Sequence, residues 1–280
     1  MSGRRPQDGT LVSVHTHRLT MDADVVRKRF VSWSDGEADR EWAGLVALAR
    51  HAPGLAPAPI SREVEGDAPV VVMSRVPGVP LGREPLTPAQ VQALTTALRR
   101  LFSAPADLES AERAFGPSVM RPFVRAWACE DYDLGECRDP ALVGKALDLA
   151  RDWLVPDDPD HDRVTDAVLA VGDGNLANVL WDGTTCRLID FEDFGTSDIS
   201  YELADIVEHA SSRLRRLLDV DSFLGGLHLD ADQQARLAAF RQLMATFWLV
   251  MMLPGNGGFK RNPAESTEDQ AQHVITILEG

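Results

Sequence analysis

Between residues 171 and 195 the chain reads Val171-Gly172-Asp173-Gly174-Asn175-Leu176-Ala177-Asn178, then a short apolar stretch with a turn, then Ile189-Asp190-Phe191-Glu192-Asp193-Phe194-Gly195. Asp173, Asn178 and Asp190 are the residues of chemical interest. Transfer of a phosphoryl group to a hydroxyl calls for a carboxylate that orients the nucleophile and takes its proton. It also calls for oxygen ligands to a Mg2+ ion, which neutralises charge on nucleotide phosphates. An Asp, an Asn five residues later and a second Asp at the far end of a hairpin meet both needs, because three oxygens can converge on one small volume. Mg2+ favours such hard donors.

That hairpin is written in Val179–Trp181, the Asp182-Gly183 turn and Cys186–Phe191. Further upstream, Leu11–Leu19 alternates apolar and polar residues, Met21–Asp24 reads as a turn and Asp24–Trp33 as a second extended run. Ser34 and Glu37 form a Ser-x-x-Glu capping box, after which Trp42, Leu45, Val46 and Ala49 recur at helical spacing until His51–Pro53. Ala56–Pro59 reads as an extended loop, and Val70–Met73 as a short apolar run ending at the Pro77-Gly78 turn. From residue 86 the period becomes helical, with Thr87 as N-cap, Pro88 at the first position and a stripe of Val91, Leu94, Leu98 and Leu101. Residues 201–218 and 231–252 are also helical in period. The expectation is an α+β fold in two lobes: a small sheet-plus-helix lobe over residues 1–76, and a mainly helical lobe over 77–280 that carries the hairpin.

Lysine is scarce, three residues against 25 arginines. Lys28 shares one face of the second extended run with Val26 and Phe30, while Arg27 and Arg29 point to the other. A cation on an apolar face needs an anionic partner, and the following helix offers Glu41, or Glu37 if that helix is rotated.

Taken together, these motifs resemble the aminoglycoside phosphotransferase family, relatives of the choline kinases within the protein-kinase-like fold, whose brace reads H-G-D-x-x-x-x-N and then I-D-F/W-E/D. The likeness covers most of the chain. It implies that Asp173 is the catalytic base and that Asn178 and Asp190 hold Mg2+. It also implies that Lys28, ion-paired to Glu41, positions the α- and β-phosphates of ATP or GTP. Gly9 and Ser13 would cover the phosphates through backbone N–H groups, and the carbonyl of Ser74 and amide of Val76 would meet the purine. Acidic surfaces at Glu130, Asp131, Asp133 and Glu136, and at Asp205 and Glu208, would hold a cationic acceptor, with Asp198 and Glu202 bracing the metal loop. His209 fits a core or surface position as well as a ligand position. One departure is plain: the family's usual His is Val171 here. The activity implied is Mg2+-dependent transfer of a γ-phosphoryl group to a hydroxyl of a small molecule such as an antibiotic.

Composition narrows the alternatives. The 280 residues are 44% hydrophobic and 25% charged, an ordinary globular balance and not that of a disordered chain. Residues 1–85 carry eleven basic and eleven acidic side chains, so the whole net charge of −15 falls in residues 86–280. Such a field disfavours nucleic acid and anionic lipid and favours cations, including an amine-bearing acceptor. Cys129, Cys137 and Cys186 form no C-x-x-C pair and suit a reducing cytoplasm. The most apolar run, Phe247–Leu253, is too short to cross a bilayer. No G-x-x-x-x-G-K-[ST] or G-x-G-x-x-G precedes Lys28, which speaks against a Walker-type NTPase and a protein-kinase glycine loop. Two other readings compete: a nucleotide-binding pseudokinase scaffold, suggested by Val171, and a metal-dependent hydrolase, disfavoured because no His adjoins the Asp-rich segment.

Overall fold

The computed structural model describes residues 10–13, 17–106, 111–155 and 163–280. Its N-terminal part is an antiparallel sheet of β1 (Thr10–Ser13), β2 (Arg18–Met21), β3 (Val25–Arg29), β4 (Pro59–Glu65) and β5 (Ala68–Ser74), in the order β1-β2-β3-β5-β4, with helix α1 (Glu37–His51) between β3 and β4. The alternating run at Leu11–Leu19 is therefore two strands and not one. Asp22 N–H closes the expected turn onto the Val25 carbonyl at 2.9 Å. In the middle of the sheet Lys28 stands opposite Leu19 on one side and Val71 on the other. Lys28 and Phe30 are buried while Arg27 reaches across the other face to Glu63 at 2.6 Å, the alternation that a two-residue period requires.

Helix α1 departs from its sequence reading twice. The N-cap is Gly36, at φ 85°, and not Ser34; Glu37 is the first helical residue and folds back to accept from the Asp35 N–H at 3.2 Å. The buried face runs through Ala38, Glu41, Gly44, Leu45 and Leu48, whereas Val46 and Ala49 are exposed. The buried face departs from the hydrophobic stripe because it is specified partly by a carboxylate and a glycine, which hydrophobic spacing does not count. Strand β4 was not expected either. Its polar Ser61-Arg62-Glu63 centre lies at a sheet edge, where a strand is read from its partner β5 more than from its own letters.

The rest of the chain is mainly helical. After β6 (Val79–Pro80) come α2 (Pro88–Phe102), α3 (Pro117–Ala128) and α4 (Pro140–Leu154). Thr87 caps α2 in a reciprocal box with Gln90, as its sequence announces. Four short strands follow: β7 (Ala167–Ala170), β8 (Val179–Trp181), β9 (Cys186–Leu188) and β10 (Gly195–Asp198). Helices α5 (Ile199–Glu208), α6 (Ala210–Arg213), α7 (Val220–Gly225), α8 (Ala231–Met251) and α9 (Ser266–Glu279) complete the chain. The helical run expected over 201–218 breaks at His209, whose backbone leaves the helical region while its ring accepts from Ser211 N–H. Among the described residues no helix is long and apolar enough to cross a membrane.

Two strand pairs position the loops between them. Strands β7 and β10 are antiparallel with Ala170 opposite Gly195, so the segment leaving β7 at Val171 and the one entering β10 at Phe194 lie side by side. Strands β8 and β9 pair with Val179 opposite Leu188, and Ile189 N–H donates to the Asn178 carbonyl at 3.0 Å. Residues 171–178 and 189–194 are thereby clamped at both ends against each other. Pairing of β6 with β8 ties the chain that leaves β5 to this same hairpin.

Candidate active site

Lys28, on the buried face of the central strand, puts its amine among three carboxylates. Nζ lies 2.8 Å from Glu41 Oε2 and 2.9 Å from Glu192 Oε2, and also donates to Asp190 Oδ1. Burial alone would lower this amine's pKa, but Glu41, Asp190 and Glu192 together raise it well above the ordinary lysine value, so it stays charged. The Glu41 oxygen that meets Lys28 also accepts the Phe191 N–H at 3.0 Å, which fastens α1 to the segment after β9. The fit is close: at Gly44, one turn along α1, an added Cβ would stand 2.9 Å from both Phe191 Cβ and Phe194 Cγ. Of the two partners offered to Lys28 by α1, the structure brings up Glu41; Glu37 points back to the preceding turn.

Asp190 adopts φ 68°, a left-handed conformation uncommon for a residue with a side chain. Glu192, two residues on, has its Oε2 2.8 Å from His17 Nε2, and His17 Nδ1 accepts from Val31 N–H on the other side of the ring. Burial raises Glu192, but the His17 and Lys28 contacts outweigh it and hold the carboxyl down at about 2. Arg40 Nε adds a bond to the Glu192 carbonyl at 2.6 Å.

Across from this cluster, Asp173 sits in the tight Gly-Asp-Gly turn. Its Oδ1 accepts Asn175 N–H at 2.9 Å and its Oδ2 accepts the Asn178 amide nitrogen at 2.8 Å. Gly172 has φ 97°, and a Cβ there would strike the Asp193 carbonyl, so this turn requires glycine. Burial, with Asp205 nearby, raises the Asp173 carboxyl to about 6. Such a group is largely ionised at pH 7 yet basic enough to take a proton. With its nitrogen turned toward Asp173, Asn178 keeps its carbonyl oxygen as an acceptor. Asp190 and Asn178 therefore offer a carboxylate and an amide oxygen from two adjoining loops. Mg2+ suits this pair, because it usually takes one or two protein oxygens and fills the remaining positions with phosphate and water. Among the described residues no three His, Cys, Asp or Glu side chains are grouped to hold a metal by themselves.

The other expected residues fall in different settings. Ser74 closes β5, its N–H on the Ala58 carbonyl and its Oγ accepting Ala58 N–H, and Val76 follows, partly exposed. Ser13 ends β1, where only the backbone is described, and Gly9 lies outside the described residues. Glu130, Asp131 and Asp133 are exposed beyond α3, with Asp133 turned back onto Gly135 N–H. Asp205 and Glu208 do not stand free for a ligand. Asp205 is buried against Arg113 at 3.0 Å, and Glu208 is buried between Arg241 and His273, each at 2.7 Å. Both belong to the internal framework, because charges taken so far from water need partners inside the protein. Asp198 and Glu202 are also internal: Asp198 caps α5 and accepts from Arg236 at 2.9 Å, and Glu202 pairs with Arg113 at 2.8 Å.

Sequence reasoning gave no role to His17, Glu192 or Arg113. Glu192 lay within the quoted motif, whereas nothing in the spacing around His17 or Arg113 sets them apart from surface residues. His209, left open on sequence grounds, has Nε2 3.5 Å from Asp173 Oδ1 and its ring edge-on to Trp248 at 4.6 Å. Burial lowers its pKa to about 4, so this imidazole is neutral at pH 7.

A family model described as the phosphotransferase enzyme family, APH, matches residues 14–244. Among curated proteins the sequence has no match. Solved structures similar to this chain include aminoglycoside phosphotransferase APH(3'')-Id from Streptomyces rimosus, at 16% identity and TM-score 0.57, covering 85% of this chain and 92% of that one. A thermostable mutant of aminoglycoside phosphotransferase APH(4)-Ia, in ternary complex with AMP-PNP and hygromycin B, matches at 18% identity and TM-score 0.62, covering 98% and 95%. A choline/ethanolamine kinase family protein from Mesorhizobium loti matches at 13% identity and TM-score 0.61, covering 98% and 88%. At these identities the structural likenesses establish the fold, which is the protein-kinase-like one.

Proposed function

The chain belongs to the phosphotransferase enzyme family, and from that premise we propose that it moves the γ-phosphoryl group of ATP or GTP, with Mg2+, to a hydroxyl of a small molecule, an antibiotic or a related natural product. One observation carries the reading: Lys28, from the third strand, and Asp190, 162 residues later, meet at one point with Glu41 and Glu192 around them. A cation for phosphates and a carboxylate for their metal are thus held within the length of a nucleotide. We place the boundary between the nucleotide-binding lobe and the helical lobe at residue 76, where the chain leaves β5.

In this reading Asp173 orients the acceptor hydroxyl and takes its proton, Asn175 N–H and the Asn178 amide hold its carboxylate in place, and Lys28 binds the α- and β-phosphates. Asn178 and Asp190 would hold Mg2+, which supplies charge neutralisation on the phosphates. An adenine nucleotide is favoured by the AMP-PNP in the APH(4)-Ia complex. The acceptor's charge is less constrained than the net −15 suggests, since Glu202, Asp205 and Glu208 are spent on internal ion pairs.

The test is a screen of purified protein with Mg2+ and either ATP or GTP against a panel of hydroxylated antibiotics and amino alcohols, read as acceptor-dependent nucleoside diphosphate release and as product mass increased by one phosphoryl group. Phosphorylation of any panel member supports the reading. Nucleotide binding with no release on any acceptor, and none to water, favours a scaffold without turnover.

A further inference from the structure

Arg113, in the connection between α2 and α3, is buried in the helical part of the protein, and its guanidinium is used on every edge. Nη1 meets Glu202 at 2.8 Å and Asp205 at 3.0 Å, one turn apart on α5; Nε donates to the Ala114 carbonyl at 3.0 Å; Nη2 donates to the carbonyl of Gly172. The Tyr201 ring lies under the cation, 5.3 Å away. The backbone beside this side chain binds the second loop: Arg113 N–H donates to the Thr196 carbonyl at 3.0 Å and Ala114 N–H to the Asp193 carbonyl at 3.2 Å.

We propose that Arg113 is a positioning residue for phosphoryl transfer, fixing the peptide that precedes Asp173 against α5 while its backbone fixes the loop that follows Asp190. The proposal rests on the reading of Asp173 as the base. An ion pair that only stabilised the fold would need the two carboxylates of α5 and nothing more. What sets this one apart is the third edge, on the carbonyl one residue before Asp173. Gly172 has the widest conformational range of any residue type, and Val171 before it is buried and apolar, so the turn brings no side-chain donor of its own to hold that carbonyl. The Arg113 fork supplies the donor, from a rigid planar group already anchored on α5. Asp173 then inherits its orientation from Gly172, and errors of about 1 Å in such placement cost about a hundredfold in rate.

Three variants separate positioning from stabilisation, read as Mg2+-dependent ADP release from ATP with water as acceptor, as ATP affinity by calorimetry and as melting temperature. Arg113→Lys keeps a charge for Glu202 and Asp205 but lacks the fork that also reaches Gly172. The triple variant Arg113→Met, Glu202→Gln, Asp205→Asn removes the buried cation and both of its carboxylate partners together. Both are expected to stay folded and bind ATP within about threefold of the wild type, while turnover falls about 10–100-fold. Combining Arg113→Lys with Asp173→Asn is expected to lower turnover no further than Asp173→Asn alone, because the two residues act through one group. Wild-type turnover in Arg113→Lys or in the folded triple variant overturns the proposal, as does a full additional loss in the double variant. If Asp173→Asn itself turns over like the wild type, or the wild type releases no ADP to water or to any acceptor of the panel, the functional reading fails as a whole; that outcome is distinct from a failure at Arg113 alone.

Discussion

Helix α1 can reach the loop after Asp190 only because residue 44 has no side chain, and Gly44→Ala tests that directly. The new methyl would stand 2.9 Å from Phe191 Cβ and Phe194 Cγ and 3.0 Å from Phe194 Cδ2. Carbon atoms pack at about 3.5–4.0 Å, so helix and loop must separate by roughly 0.5–1 Å. Phe191 is fully buried and has no room to retreat. The bond from Phe191 N–H to Glu41, now 3.0 Å, lies one turn from the new methyl and would stretch past useful length. Replacing a helical glycine by alanine gains about 1 kcal/mol of propensity. Against this stand about 1–3 kcal/mol of overpacking and about 1.5–3 kcal/mol for a weakened bond to a charged acceptor. The net expectation is a loss of about 1.5–5 kcal/mol in thermal or denaturant unfolding. Mg-ATP affinity should fall about tenfold, because Glu41 also sets Lys28. Val46→Ala, on the exposed side of the same helix, serves as control and should stay within about 0.5 kcal/mol of wild type. A Gly44→Ala protein stabilised by about 1 kcal/mol with unchanged Mg-ATP affinity would refute the reasoning, since propensity alone would then describe the site.

Three further outcomes follow from other parts of the site. Lys28→Met leaves Glu41, Asp190 and Glu192 facing one another, so Mg-ATP affinity should drop about a hundredfold and stability by about 3–5 kcal/mol, measured by calorimetry and denaturant unfolding. Asp173, raised to about 6 by burial and Asp205, should give kcat/KM an acid limb near pH 6, since only the ionised carboxylate accepts a proton. Its folded pKa exceeds its unfolded one, so the group's contribution to stability is complete below the unfolded value near 4 and is lost as pH rises through 6. Asp173→Asn should therefore melt above the wild type at pH 8 and match it near pH 4, and a variant less stable at pH 8 would contradict the environment described. Asp198→Ala removes a fully buried carboxylate that binds Thr165, Ser200 and Arg236, and a cost of about 3–5 kcal/mol with little change in Mg-ATP affinity is expected; equal losses in both would place Asp198 in the nucleotide site.

What the sequence could reveal depended on whether a feature is local. Thr87-Pro88 with Gln90 is a complete helix start within four residues, and the chain folds that way. The order Asp173, Asn178, hairpin, Asp190 was legible because a tight turn and a hairpin carry their own geometry, and the β7–β10 and β8–β9 registers then set the two loops side by side. The Lys28–Glu41 pair was anticipated on α1, but the rest of that helix's inner face was not legible, because Gly44 is fitted to Phe191 and Phe194 far along the chain. Arg113 was invisible for the same reason: its partners lie 59, 89 and 92 residues further on, and no spacing near it records them. Acidic residues misled in the opposite way. Asp205 and Glu208 read as part of a charged surface, while the fold turns them inward onto arginines.

Paired measurements of Mg-ATP affinity and turnover in Asp173→Asn and Asp190→Ala test the assignment of base and metal ligand most directly. Asp173→Asn should bind Mg-ATP within about threefold of the wild type while turnover falls about 10²–10⁴-fold, and Asp190→Ala should lose the Mg2+-dependent part of nucleotide binding. Wild-type turnover in Asp173→Asn, or Mg2+-dependent affinity unchanged in Asp190→Ala, would contradict that assignment.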